Sequence, residues 1–209
     1  MNKGLLIIIG SILVQVNVSA QAKAGVELYK YMHAQMEGSF QPLAHLQTAK
    51  NWYGELRYNY EDAKTLSLYG GRTFKDSGCL QYSITPMVGF SAGRFGGISF
   101  AFNTEIDWKK IYFASQTQYS IAVKRNTESF FFSWSEAGYT ICDHFYAGLA
   151  MQYTIQASLN EFEPGFLAGL HFGESLYIPF YVFSPFHSDR YFVLGLIYEL
   201  NIKKKKRTG

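Results

Sequence analysis

Apolar and polar residues alternate through most of this chain. The pattern is plainest from Trp52 to Tyr60, where Trp52, Leu56, Tyr58 and Tyr60 fall on one side and Glu55, Arg57 and Asn59 on the other. A period of two describes a strand lying between two unlike surroundings. The same period carries Leu80, Tyr82, Ile84, Val88 and Phe90, then Ile98, Phe100, Phe102, Ile106 and Trp108. It returns in the runs Phe145 to Ile155, Phe166 to Phe172, Leu176 to Val182 and Phe192 to Ile202. No segment reads as a helix.

A water-soluble barrel also alternates, with its apolar side inward, so the residue types of the polar side decide. They are chiefly Ser, Thr, Gln, Gly and Tyr, as in Gln81, Ser83 and Thr85, in Gln116, Gln118 and Ser120, or in Gly148, Gln152, Thr154 and Gln156, rather than the Lys and Glu of a wet exterior. The apolar side is too extensive for one small core. Both facts suit a closed antiparallel transmembrane β-barrel, which pairs every backbone group, shows apolar side chains to lipid and keeps a polar lumen. Such barrels hold both termini on the periplasmic side. Counting back from the last strand puts short periplasmic turns at Gly173-Glu174, Asp143-His144, Asp107 to Lys110 and Lys75 to Gly78. External loops then fall at Ser184 to Ser188, Ser158 to Pro164, Lys124 to Thr127, Ser91 to Gly97 and Glu61 to Lys64. Ten strands follow Asn51, and residues 26 to 36 make an eleventh. Even parity is recovered if Ser39 to Gln47 is a strand despite Pro42, tolerable at an irregular edge. Twelve strands is the expected number; ten, with the N-terminal segment plugging the lumen, is the alternative.

The ends alter this picture. Lys3, the apolar run Leu5 to Val14 and the small residues of Val18-Ser19-Ala20 describe an export signal cleaved after Ala20, and that run is too short to span a bilayer as a helix. The 209 residues thus divide into a signal over 1–20, a barrel over 21–202 and a basic tail over 203–209. Of nineteen Lys and Arg, one lies in the signal and five in Lys203 to Arg207, leaving thirteen against sixteen acids, so the barrel itself is acidic. Nucleic-acid binding needs basic residues spread over a folded face, which this chain lacks. The expected location is the outer membrane, with outer-membrane lipid, lipopolysaccharide and the barrel-assembly machinery as partners and small polar solutes as possible cargo.

Candidate chemistry lies in the lumen. Glu27, His33, Glu55, Arg57, Glu105, Asp107, His171 and Glu199 are expected there, mixed in sign, and confined charges need partners. They make either a rigid structural network or a charge-selective constriction. Phe186 to Arg190 brings His187, Ser188 and Asp189 into one external loop, but adjacency is not a triad, because consecutive side chains diverge. The five histidines lack metal-site spacing, no metal or cofactor is implied, and Glu161, Glu163 and Asp189 read as loop acids able to attract bridging cations. Cys79 and Cys142 both fall at the periplasmic rim; export permits a disulfide, but two intervening strands could hold the sulfurs apart.

At Trp52 to Glu61, Thr85-Pro86, Phe162 to Gly165 and Tyr191 to Gly195 the chain resembles a group of uncharacterised bacterial outer-membrane barrels of about this size, over roughly residues 30 to 202. The resemblance implies the fold and the Gram-negative outer membrane and brings no catalytic residues. Many such barrels end on an aromatic residue; here Ile202 precedes the basic tail, and Tyr198 stands nearest to that role. The functional expectation is a porin-like channel for ions or small polar solutes. A plugged structural or interaction barrel and a membrane-embedded lipid hydrolase are the alternatives.

Overall fold

The computed structural model describes residues 22–33 and 38–202; the signal, its cleavage after Ala20 and the basic tail lie outside them. The strands are β1 (Ala22–His33), β2 (Phe40–Gln47), β3 (Trp52–Tyr58), β4 (Leu66–Arg72), β5 (Phe74–Ser77), β6 (Gln81–Ala92) and β7 (Gly97–Trp108). They continue as β8 (Ile111–Ala122), β9 (Phe130–Cys142), β10 (Phe145–Gln156), β11 (Leu159–Phe172), β12 (Leu176–Phe183) and β13 (Tyr191–Ile202). Each pairs antiparallel with its neighbours, β1 closes on β13 from Ala22↔Ile202 to His33↔Tyr191, and β4 pairs with β6.

The result is a closed twelve-stranded barrel in which β4 and β5 are two parts of one strand. Their registers against β6 are continuous, Gly71↔Met87 and Phe74↔Ile84, and the ladder lapses only at Arg72 and Thr73, opposite Pro86 and Thr85. Pro86 has no amide hydrogen to donate; the hydroxyls of Thr73 and Thr85 meet across the gap at 2.9 Å. The N-terminal segment is therefore wall, as the twelve-strand count requires, and not a plug. Pro42 costs the wall little, because β2 pairs with β3 only from Leu43 onward. There Asn59 leaves the ladder in left-handed geometry (φ 61), and its side-chain amide donates to the Phe40 carbonyl at 2.9 Å.

Asp107 and Trp108, expected in a turn, complete β7, and Ser91, Ala92 and Gly97, expected in a loop, belong to β6 and β7; two further turns are displaced. Ala157 and Ser158 alone connect β10 to β11, so Glu161, Glu163 and Pro164 belong to a strand and not to an external loop. Strand β5 runs on to Ser77, which moves the periplasmic turn from Lys75–Gly78 to Gly78–Leu80 and takes Leu80 out of β6. Both hairpins are tighter than turn-forming composition suggests, because cross-strand pairing continues until the chain must reverse.

The outer surface is an apolar belt. Phe90, Phe100, Phe102, Leu149, Phe166 and Leu194 are each exposed by two fifths or more, while their inward neighbours Met87, Ala101, Ala150, Leu167 and Val193 are buried. Exposed Phe and Leu in continuous rows would be ruinous in water and are stable in hydrocarbon. No described helix is long and apolar enough to cross a membrane; the crossing is made by strands.

The wall is relieved where large inward rings lie against it. Four directly opposed pairs, Gly25↔His45, Gly89↔Tyr69, Gly138↔Tyr112 and Gly169↔Tyr146, put a glycine beneath a ring. A Cβ on Gly89 would stand 2.4 Å from the Tyr69 ring, and one on Gly138 would stand 2.2 Å from Tyr112. Glycine is needed there for the ring to lie flat across its partner strand.

Candidate functional site: a closed waist above a polar cup

At mid-height the bore is filled by side chains from opposite walls. Tyr29 of β1 and Trp134 of β9, five strands apart around the barrel, approach to 5.4 Å between ring centroids. Trp134 also meets Tyr181 edge-on at 5.0 Å and Phe183 at 5.7 Å, and the Gln152 amide reaches the Tyr31 hydroxyl at 3.2 Å. This aromatic half of the waist joins β1 to β9, β10, β11, β12 and β13.

The other half of the waist is ionic. Arg57 pairs with Glu55 through Nε, lies 3.9 Å from Glu61 through Nη1, and donates from Nη1 to the Gln118 side-chain carbonyl at 2.6 Å across the bore. Its guanidinium stacks 4.2 Å from the Tyr69 ring centroid, and the Tyr60 ring lies at 5.1 Å. Tyr53 donates to Glu55 at 2.7 Å and Tyr69 to Glu61 at 2.7 Å. Arg57 and Glu55 are each only 2% exposed. A buried pair of this kind survives because both carboxylates and the guanidinium are multiply hydrogen-bonded.

Below the waist a cavity of about 860 Å³ opens toward the side that carries the termini and the turns Lys109-Lys110 and Gly173-Glu174. His45 is its centre: Nε2 lies 3.1 Å from Glu199, Nδ1 lies 3.7 Å from Glu27, and the ring stacks on Tyr53 at 5.7 Å. Glu27 accepts a hydrogen bond from Tyr29 at 2.8 Å, which ties the cup to the aromatic half of the waist. Opposite, Glu136 accepts from Tyr181 at 2.7 Å.

The expected lumen group divides accordingly. Glu55 and Arg57 form the waist, and Glu27 and Glu199 share His45 in the cup. Glu105 and Asp107 line the cup, and no ion pair joins either to a described residue. His171 lies at the mouth, stacked on Tyr177 at 6.0 Å, and His33 stands apart near the external end, stacked on Tyr191 at 4.7 Å. His33 and His171 therefore do not join the ion pairs, because the strands carry them to opposite ends of the bore.

Several site residues were not singled out in the sequence. His45 and Glu61 supply pairing that the lumen group lacked, and Tyr53, Tyr69 and Gln118 supply the hydrogen bonds. Alternation within Ser39 to Gln47 could have placed Leu43, His45 and Gln47 on one face. Nothing in the pattern announces Glu61: the left-handed Asn59 breaks the alternation, so Tyr60 turns into the lumen instead of sharing the outer face with Trp52, Leu56 and Tyr58. Asn59 itself bonds the backbone of the neighbouring strand and does not line the bore.

The remaining candidates are spread out. His187, Ser188 and Asp189 lie exposed in the loop after β12, and among the described residues no side-chain hydrogen bond joins them. Glu163 lies on β11 within 3.0 Å of the Tyr191 hydroxyl, while Glu161 and Asp189 are exposed. Among the described residues no three His, Cys, Asp or Glu side chains gather as metal ligands. Cys79, in the turn after β5, and Cys142, at the end of β9, are exposed and not bonded to each other.

No protein-family model and no curated protein sequence matches this chain. Solved structures do. The KdgM porin aligns at TM-score 0.61 and 10% identity over 83% of this chain and 98% of its own, and the KdgM porin in complex with disordered oligogalacturonate gives 0.62 at 10% over the same shares. The NanC porin gives 0.54 at 10% identity, over 84% of this chain and 100% of its own. At so low an identity the likeness is one of architecture, and the architecture is the closed β-barrel of bacterial outer-membrane porins.

Proposed function

We propose that this protein is a narrow outer-membrane channel for ions and small polar solutes, closed at the waist and entered from the periplasm through the cup. The observation that carries this reading is the ionic half of the waist. Arg57, Glu55, Glu61 and Gln118 meet at the centre of the bore, so any solute that passes must move past a charged cross-section. Polar groups at a constriction set which ions pass it. The KdgM porin forms a complex with oligogalacturonate, so a barrel of this architecture can hold a polar ligand. The apolar belt suits outer-membrane lipid and lipopolysaccharide as its surroundings, and insertion by the barrel-assembly machinery follows from that location.

The aromatic half of the waist favours a second reading, a permanently closed barrel acting through its external loops, because Tyr29 and Trp134 already touch across the bore. Planar-bilayer recording separates the two. The mature chain is refolded and its insertion verified by heat-modifiable gel mobility. A channel gives discrete steps, and Glu55→Gln shifts their ion selectivity. Verified insertion with no steps, in the wild type and in Trp134→Ala alike, would retire the channel reading and leave the closed barrel.

A further inference from the structure

One wall of the cup is made of acceptors. Asn103, Glu105 and Asp107 project inward from β7, Tyr112 of β8 stands directly opposite Asp107, and Glu136 lies inward on β9. Tyr112 can lie flat only because Gly138 is its cross-strand partner. The Asn103 Oδ1 atom is buried in this wall without a hydrogen-bond partner among the described residues, and the His45 Nδ1 and Gln47 Nε2 atoms across the cup are likewise without one. An orphaned buried acceptor is costly, about 1–3 kcal/mol in general, unless a ligand or water donates to it. These orphans include donors as well as an acceptor, so the sign of the preferred ligand is set by Glu105 and Asp107, which no described cation pairs.

The balance of the whole cup has the same sign. Six carboxylates line it against three lysines, and all three lysines are exposed. Lys109 Nζ lies 5.0 Å from the ring centroid of Trp108, a residue of the outer face, so its charge is drawn out of the cup. His45 is already shared by Glu27 and Glu199. Tyr29, Tyr146, Tyr181 and Trp134 are buried in ring packing, and the partly exposed Tyr53 and Tyr177 supply the ring surface on which an organic cation rests favourably.

We infer that the cup takes small organic cations bearing ammonium or guanidinium groups, held on the Asn103–Glu105–Asp107–Tyr112 wall, and that it disfavours acidic saccharides. This deepens the channel reading and rests on it for the solute's passage, though binding itself requires only the cup. The charge preference is opposite to that needed for oligogalacturonate, whose sugar units each carry a carboxylate. Likeness to the KdgM porin in architecture therefore does not extend to its ligand.

The test is calorimetric titration of the refolded, detergent-solubilised barrel with spermidine and, as the matched anion, trigalacturonate, at low ionic strength. Spermidine is expected to bind and trigalacturonate to show no heat of binding. Glu105→Gln/Asp107→Asn is expected to weaken spermidine at least about fivefold, while Glu128→Gln, exposed in the loop before β9 at the opposite end of the barrel, leaves it unchanged; heat-modifiable mobility confirms that each variant is folded. Trigalacturonate binding as tight as spermidine, or spermidine affinity unaltered in the double variant, overturns the inference. Conductance without spermidine binding would sink it while the channel stands. Spermidine binding in a barrel that never conducts would sink the channel and leave the site.

Discussion

The waist and the cup share the same strands and the same residue types, yet they resolve their charges in opposite ways. In the waist every charged group has a partner within the wall, and Arg57 and Glu55 are withdrawn from solvent. In the cup Glu105 and Asp107 stand open to the cavity without an ionic partner. A charge inside a filled cross-section must be paired, because no water reaches it; one beside an 860 Å³ cavity is hydrated and can be left for a ligand. The waist is thus the stabilising region and the cup the adaptable one.

Removing Arg57 should break that contrast most severely. Arg57→Ala leaves Glu55 and Glu61 facing each other in a filled bore and is expected to cost about 3–5 kcal/mol in urea unfolding. Glu55→Gln/Arg57→Gln, which removes both charges, should recover part of the loss. A loss under about 1 kcal/mol for Arg57→Ala would show that water already reaches the waist.

Trp134→Ala is expected to cost nearly as much, about 3–5 kcal/mol, since it empties the contact between opposite walls. It should also widen the bore, so that conductance rises in the same preparation that unfolds more readily. Unchanged conductance in a folded Trp134→Ala barrel would mean that the ionic half alone closes the channel.

Gly89→Ala has a smaller expected effect, about 1–3 kcal/mol, because the new methyl must push the Tyr69 ring away from its strand. Through Tyr69 this disturbs both Glu61 and the Arg57 guanidinium, so ion selectivity should change with stability. In the cup, Glu105→Gln should leave stability within about 0.5 kcal/mol, the usual range for a side chain without buried partners. Cation preference, read as the reversal potential in a salt gradient, should nevertheless fall. A Glu105→Gln barrel as unstable as Arg57→Ala would erase the distinction between the two regions.

How far this was legible in the sequence differs between the two faces of one strand. On β13, Phe192, Leu194, Leu196, Tyr198 and Leu200 all face outward, because lipid imposes one requirement on every outward position and so leaves a periodic trace. Pro42 looked like an obstacle and proved harmless for a reason visible only in three dimensions: the pairing of β2 with β3 stops at Leu43↔Arg57, one residue short of it. The inward positions answer to particular partners instead. Arg57 was recognisable as a lumen cation, but its bond to Gln118 joins residues sixty-one positions apart, through a register that no local pattern encodes. Glu61 lies in the loop expected for it, and its reach into the bore went unseen because a single left-handed residue, Asn59, redirects the chain.

Sequence alone determined that strands form, which face meets lipid and that the bore is polar, and it favoured twelve strands over ten, since each follows from local alternation, turn chemistry and the parity of a closed barrel. Only the tertiary structure decided that the bore is closed at mid-height and open below. That outcome depends on where the registers of twelve strands bring opposite walls together, so that Tyr29 meets Trp134 in the waist while Glu105 and Asp107 are left facing open space.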